Sequence, residues 1–275
     1  MPVRIPTDIS TFPHARRALK VLVACTTLAI AGPAAVAQAA ASSTAASGTT
    51  VHFPGLPQVG ALFGSPDYTG ASAAHFCTGT VIDSPAGDLV LTAAHCVYDA
   101  STGTYTHASI TFAPGYDNGL NTHLGGAWTV TSIDVPDGYK TSGNTEDDYA
   151  LLVIAPQYGL NIEQVTGGLR VAATHLPEQV AVVGYNDLVY DAAGNEPIIC
   201  STKAFEETDG GEPWSRFDCP NYQDGTSGGP WITRGGEVVG VIGGYEQGGD
   251  SPDWSYSAIF DRNTLAFVHS AGASN

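Results

Sequence analysis

From His52 onward the chain is a succession of short apolar runs, each broken by glycine, proline, aspartate or asparagine. The runs cover residues 78–82, 89–92, 109–112, 128–133, 150–154, 180–183, 198–200, 230–233, 238–242 and 257–260. Runs this short, so regularly interrupted, cannot supply the long one-sided stripe of a helix and read as strands joined by turns. The expected fold class is all-β, with strands enough for a pair of packed sheets or barrels. Composition agrees, since glycine is abundant at 33 residues and charged residues are only 13 % of the chain. Two segments look helical: 92–96 could make one turn, and 261–268 could be a final helix with Asp261 as its N-cap.

The first 39 residues read differently. Arg16, Arg17 and Lys20 precede an apolar run from Val21 to Ala31, and Ala37-Gln38-Ala39 follows as a small-residue cleavage pattern. That order predicts a signal peptide over residues 1–39, and the apolar run is too short for a membrane span. Residues 40–52 are expected to form a flexible leader or short prosegment, with the functional domain over 53–275. Removing 1–39 takes away Arg4, Arg16, Arg17, Lys20 and Asp8, so ten basic and 27 acidic residues become six and 26, a net charge of −20. Nucleic acids and anionic membranes are excluded as partners on that charge.

Cys25 leaves with the leading segment, and Cys77, Cys96, Cys200 and Cys219 remain. An even number in an exported chain implies disulfides. Of the three possible pairings, Cys77–Cys96 and Cys200–Cys219 are the natural choice by proximity in sequence. Each would close a loop worth about 3 kcal/mol in the chain-entropy model. A zinc site is the alternative, but neither pair has C-x-x-C spacing. No metal or other cofactor is expected.

Three strings carry chemistry. Asp224-Gly225-Thr226-Ser227-Gly228-Gly229-Pro230 precedes an apolar strand; its glycines allow a sharp bend that exposes Ser227 and can aim the amides of Gly225 and Ser227 at one point. A serine hydroxyl needs a base, and an imidazole, with a free pKa near 6.5, suits that task. Among eight histidines His95 stands out, placed after a strand in Leu91-Thr92-Ala93-Ala94-His95-Cys96. The imidazole in turn needs a carboxylate, and Asp148 opens Asp148-Tyr149-Ala150-Leu151-Leu152 at the head of a strand.

Together these strings resemble the three signature segments of the trypsin/chymotrypsin-like serine proteases, in that family's order of His, Asp and Ser. Cys77-Thr78-Gly79-Thr80-Val81-Ile82 is similar to the family's strand before the histidine, whose cysteine bridges to the one after it. The resemblance covers roughly residues 55–270. It implies two packed antiparallel six-stranded barrels, about 53–158 and 159–260, and a C-terminal helix about 261–270. It implies Ser227 as nucleophile, His95 as base and then acid, Asp148 as the orienting carboxylate, and the Gly225 and Ser227 amides as oxyanion hole. The activity implied is that of a secreted, extracellular serine endopeptidase, a monomer acting on proteins or peptides.

Departures from the family narrow the reading. Thr226 stands where animal trypsins carry aspartate, and no Ile-Val-Gly-Gly start is found, so activation through a new N-terminus is not expected. The chain looks closer to bacterial secreted members, including the actinomycete trypsin-like and glutamyl-endopeptidase-like groups. By resemblance, Asn221, Ile242, Gly243 and Tyr245 line the primary pocket. Asn221 in place of an aspartate argues against an Arg or Lys preference, and Ile242 in place of a histidine argues against Glu, which leaves apolar or small side chains. Two alternatives are a catalytically silent protease-fold binding protein and an α/β-hydrolase esterase. The first would be expected to have lost a triad residue; the second would place its histidine last in the chain.

Overall fold

The structure is a computed structural model and describes residues 48–64, 74–209 and 211–272. The expected signal peptide and residues 40–47 of the leader lie outside the described residues. The first half contains β1 (Thr50–His52), β2 (Val59–Phe63), β3 (His75–Val81), β4 (Leu89–Thr92), the helical turn α1 (Ala94–Val97), a small hairpin of β5 (Tyr98–Asp99) and β6 (Thr104–Tyr105), β7 (Thr111–Pro114), β8 (Trp128–Asp134), the short helix α2 (Asp137–Ser142) and β9 (Ala150–Ile154). Six of these strands close a barrel in the order β2-β3-β4-β9-β8-β7, each neighbour antiparallel.

β4 and β9 read as unbroken apolar runs because both of their faces are covered. Side chains alternate along a strand, and here the alternation sorts them between two cores. Val90, Leu152 and Ile154 pack with Phe112 and Trp128 inside the barrel. Leu89, Leu91, Leu151 and Val153 face outward into a second cluster shared with Val183, Tyr185, Ile232, Val241 and Phe260 of the other half. That shared cluster joins the two halves and brings the ends of β4 and β9 against the second sheet.

The second half follows the capped turn α3 (Ile162–Thr166) and contains β10 (Arg170–Val171), β11 (Glu178–Gly184), β12 (Ile198–Asp209), β13 (Glu212–Asp218), β14 (Pro230–Thr233), β15 (Glu237–Val241), β16 (Trp254–Ser257) and the final helix α4 (Arg262–Gly272). The sheet order is β10-β15-β14-β11-β12-β13-β16, with β1 added on β12. Strands β11 to β16 are antiparallel, whereas β10 joins β15 in parallel. The sheet curls until Gly243 N–H donates to Tyr256 O at 3.1 Å, without a ladder between β15 and β16. Its core holds Trp231, Phe217 and Tyr222, with the Phe217 ring edge-on to both others at 5.0 Å.

The all-β expectation holds, and so does the C-terminal helix. Asp261 caps that helix through Asn263 N–H and Thr264 N–H at 2.7 and 3.1 Å. Local differences have clear causes. β2 and β13 escape the sequence reading: β2 carries two small residues, and β13 alternates charge with aromatics. The last strand ends at Ser257 rather than beginning there. Residues 50–52, expected within a flexible leader, form β1 opposite Ile198–Cys200, because the edge of β12 offers them unpaired backbone groups. Disulfides link Cys77 to Cys96 and Cys200 to Cys219. No helix among the described residues is long and apolar enough to cross a membrane.

Candidate active site

His95 sits on α1, directly after β4, in a segment with no polar competitor for its backbone. Asp148 ends a short 3-10 turn and enters β9, and β4 and β9 pair as Thr92↔Ala150. This register carries the carboxylate to the imidazole. One oxygen, Asp148 Oδ1, accepts from His95 N–H at 2.8 Å. The other, Oδ2, lies 2.8 Å from His95 Nδ1 and accepts from Gly244 N–H at 2.8 Å. An ionised carboxylate can only accept, so the bond pattern fits the tautomer with its proton on Nδ1, the one that leaves Nε2 a lone pair. Asp148 is 1 % exposed, and its neighbours behave otherwise: Glu146 is exposed and Asp147 is held by Asn144 at 2.9 Å. A Cβ at position 243 would fall 3.0 Å from Asp148 Oδ2, so the glycine there lets the chain of the second sheet approach the carboxylate.

The turn bearing Ser227 is latched to the first barrel by Thr78. Thr78 N–H donates to Ser227 O at 2.8 Å, and its hydroxyl donates to Gly225 O at 3.0 Å while accepting from Tyr185 N–H at 3.1 Å. Thr78 O in turn accepts from Thr92 Oγ1 at 2.8 Å. Gly228, at φ 79°, lies so close that a Cβ would fall 2.2 Å from Thr92 Oγ1 and 2.3 Å from Thr78 O. The serine turn is therefore seated on Thr92 and Ala93, two residues ahead of His95. Within the turn, Thr226 N–H is tied to Gln223 O at 3.2 Å and Thr226 Oγ1 to the same oxygen at 2.7 Å. The amides on either side of it, Gly225 and Ser227, make no hydrogen bond among the described residues. Thr226 thus fastens its own loop locally, where animal trypsins use an aspartate and an N-terminal ammonium.

Two cavities flank the site. One, of about 590 Å³, is bordered by His95, Tyr98, Asp99, Tyr139 and Gln247. The other, of about 230 Å³, is bordered by Ser227, Tyr222, Ile242, Gln247, Asp250 and Ser255, and also by Asp224 and Tyr190. The Asp224 charge pushes the Tyr190 hydroxyl above its ordinary value. Of the residues expected in the primary pocket, Ile242 borders this second cavity. Asn221, Gly243 and Tyr245 do not. Tyr222 takes the inward position, its hydroxyl donating to Val182 O at 2.7 Å, and Asn221, at φ 68°, faces outward toward Asp191. Tyr245 stacks on Trp214 at 5.7 Å.

Two positioning residues had no sequence signal. In the sequence Thr78 is an ordinary strand residue. Asn186, fully buried, accepts from Gln223 N–H at 2.9 Å and donates to Asn221 O at 3.1 Å, holding the segment before the serine. Both act across more than thirty residues of chain, which no local motif can register. Cys77, His95 and Cys96 lie close enough to suggest metal ligands, but both sulfurs are spent in the disulfide.

Solved structures with this architecture are described as proteases. Protease Anisep from Arthrobacter nicotinovorans is 22 % identical, covers 82 % of this chain and 100 % of its own, and has a TM-score of 0.67. The thermostable serine protease AL20 from an extremophilic microorganism is 26 % identical, with coverages of 80 % and 98 % and a TM-score of 0.64. A Glu endopeptidase is 21 % identical, with coverages of 82 % and 97 % and a TM-score of 0.60. No curated protein matches the chain. The model of the trypsin-like peptidase domain matches residues 77–241. The chain belongs to that family and is a serine endopeptidase.

Proposed function

We propose that the protein is a secreted, monomeric endopeptidase that cleaves peptide bonds through an acyl-enzyme on Ser227. His95 Nε2 takes the Ser227 proton as Oγ attacks the scissile carbonyl, and then delivers it to the departing amine as the C–N bond breaks. Water, deprotonated by the same nitrogen, releases the acyl group. Asp148 holds the tautomer and stabilises the imidazolium. The amides of Gly225 and Ser227 receive the oxyanion, each donor contributing about 3–4 kcal/mol to the transition state.

The observation that carries this reading is the double bond pattern from Asp148 to His95, through the backbone amide and through Nδ1. It leaves the ring one face and one nitrogen with which to act. The two amides of the serine turn that have no hydrogen-bond partner among the described residues support the oxyanion role. Secretion rests on the basic-apolar-small order of residues 1–39 and on the two disulfides. We assign 1–39 as signal peptide and 53–275 as the protease domain, its two halves meeting within 156–170. A fluorophosphonate probe tests the chemistry: it should label the protein at Ser227, and Ser227→Ala and His95→Ala should abolish labelling. Labelling that survives Ser227→Ala would refute the assignment. N-terminal sequencing of the exported protein tests the leader, and a start upstream of Ala40 would refute the signal assignment.

A further inference from the structure

The cavity beside Ser227 would hold the side chain of the residue whose carbonyl is attacked. Asn221, the position that argued against a basic preference, stands outside that cavity. The charges that do border it come from elsewhere: Asp224 and Asp250, both exposed. Asp99 borders the neighbouring cavity on the His95 side, its carboxyl held below the usual range by hydrogen bonds from Ser101 and Thr102. The described residues contain six cations, Lys140, Arg170, Lys203, Arg216, Arg234 and Arg262, and none borders either cavity.

A second, independent observation points to a polar guest. Ser255 borders the cavity beside Ser227 and is 3 % exposed, yet its hydroxyl makes no hydrogen bond among the described residues. Buried hydroxyls are ordinarily paired, and this one opens onto the space a substrate side chain would fill. Ile242 and the Tyr222 ring supply apolar wall for an aliphatic stem. An aliphatic stem ending in a hydrogen-bond-donating cation matches all three features. A carboxylate guest would meet two like charges and no counter-ion.

We propose that this protease cleaves after basic side chains, with Asp250 and Asp224 attracting the cation and Ser255 accepting a hydrogen bond from it. The proposal rests on the protease reading above. It departs from the expectation of apolar or small side chains, because the selecting carboxylate comes from the 245–253 loop and not from the position six residues before the serine.

The test compares peptides identical except for Lys, norleucine, Gln or Glu before the scissile bond. The kcat/KM for Lys should exceed that for its neutral isostere norleucine by about tenfold and that for Glu by about a hundredfold or more. High salt should narrow the first ratio, because the carboxylates are exposed. Asp250→Asn should lower the Lys-to-norleucine ratio, and Asp250→Lys should raise cleavage after Glu relative to Lys, a gain that a misfolded variant could not produce. Ser255→Ala should lower the same Lys ratio. Equal cleavage after Lys and norleucine in a preparation that labels fully with fluorophosphonate would overturn this inference and leave the protease reading standing. Absence of labelling would overturn both.

Discussion

Thr78 offers the most direct test of how the two halves build one site. Its hydroxyl donates to Gly225 O and accepts from Tyr185 N–H, at 3.0 and 3.1 Å, and all three residues are buried. Thr78→Val preserves the shape and removes the hydroxyl, leaving one buried carbonyl and one buried N–H without a partner. Each orphan costs about 1–3 kcal/mol, so the variant should lose about 3 kcal/mol of stability. The main-chain bonds from Thr78 N–H to Ser227 O and from Thr226 N–H to Gln223 O remain, so the turn stays in place, but the Gly225 carbonyl loses its anchor and the Gly225 N–H beside it can tilt. Complete loss of an oxyanion donor costs about 10²–10³-fold in kcat; partial misalignment should cost about tenfold, with little change in KM. Thr78→Ser retains the hydroxyl and loses one methyl, worth about 1 kcal/mol, and should restore most of kcat. Stability is best read by urea unfolding in a Ser227→Ala background, where self-digestion cannot interfere, with the buried Trp231 as fluorescent probe. If the valine variant is as stable as the parent, or the serine variant is the worse of the two, the latch argument is wrong.

Other consequences follow from the same geometry. Asp148→Asn faces three donors, His95 N–H, His95 Nδ1–H and Gly244 N–H, with an amide that can satisfy them only by turning the imidazole to the wrong tautomer; kcat should fall by about 10⁴-fold, measured on a chromogenic peptide, and a loss below tenfold would count against the triad. Burial holds the His75 imidazole below its ordinary value of 6.5, among the rings of Phe63, Tyr116 and Tyr185. The unfolded chain then binds a proton that the folded one does not, so the stability associated with His75 is intact above pH 6.5 and is lost as pH falls below it, by up to about 1.4 kcal/mol per pH unit. Urea midpoints at pH 5 and 7.5 should therefore differ less in His75→Asn than in the parent, and an equal difference would refute the assignment. Replacing Cys200 and Cys219 together by serine should lower stability by about 3 kcal/mol, visible as a lower Tm; an unchanged Tm would mean that the bridge constrains little.

Composition and local pattern settle much about this protein. Short apolar runs with frequent turn residues specify strands, since that pattern is local and its physics is local. The three strings around His95, Asp148 and Ser227 are legible because each needs particular neighbours in sequence: a strand end, a small residue, a glycine that permits close approach. What pairs with what is a different matter. The closed barrel beside a curled, unclosed sheet, the capture of residues 50–52 by the edge of β12, and the latch from Thr78 to Gly225 all depend on contacts between residues far apart in the chain. The same holds for the pocket, where Tyr222 turns inward and displaces Asn221, and where Asp250 arrives on a loop of its own. Long-range packing decides which side of a residue meets which partner, and a one-dimensional pattern carries no record of that choice.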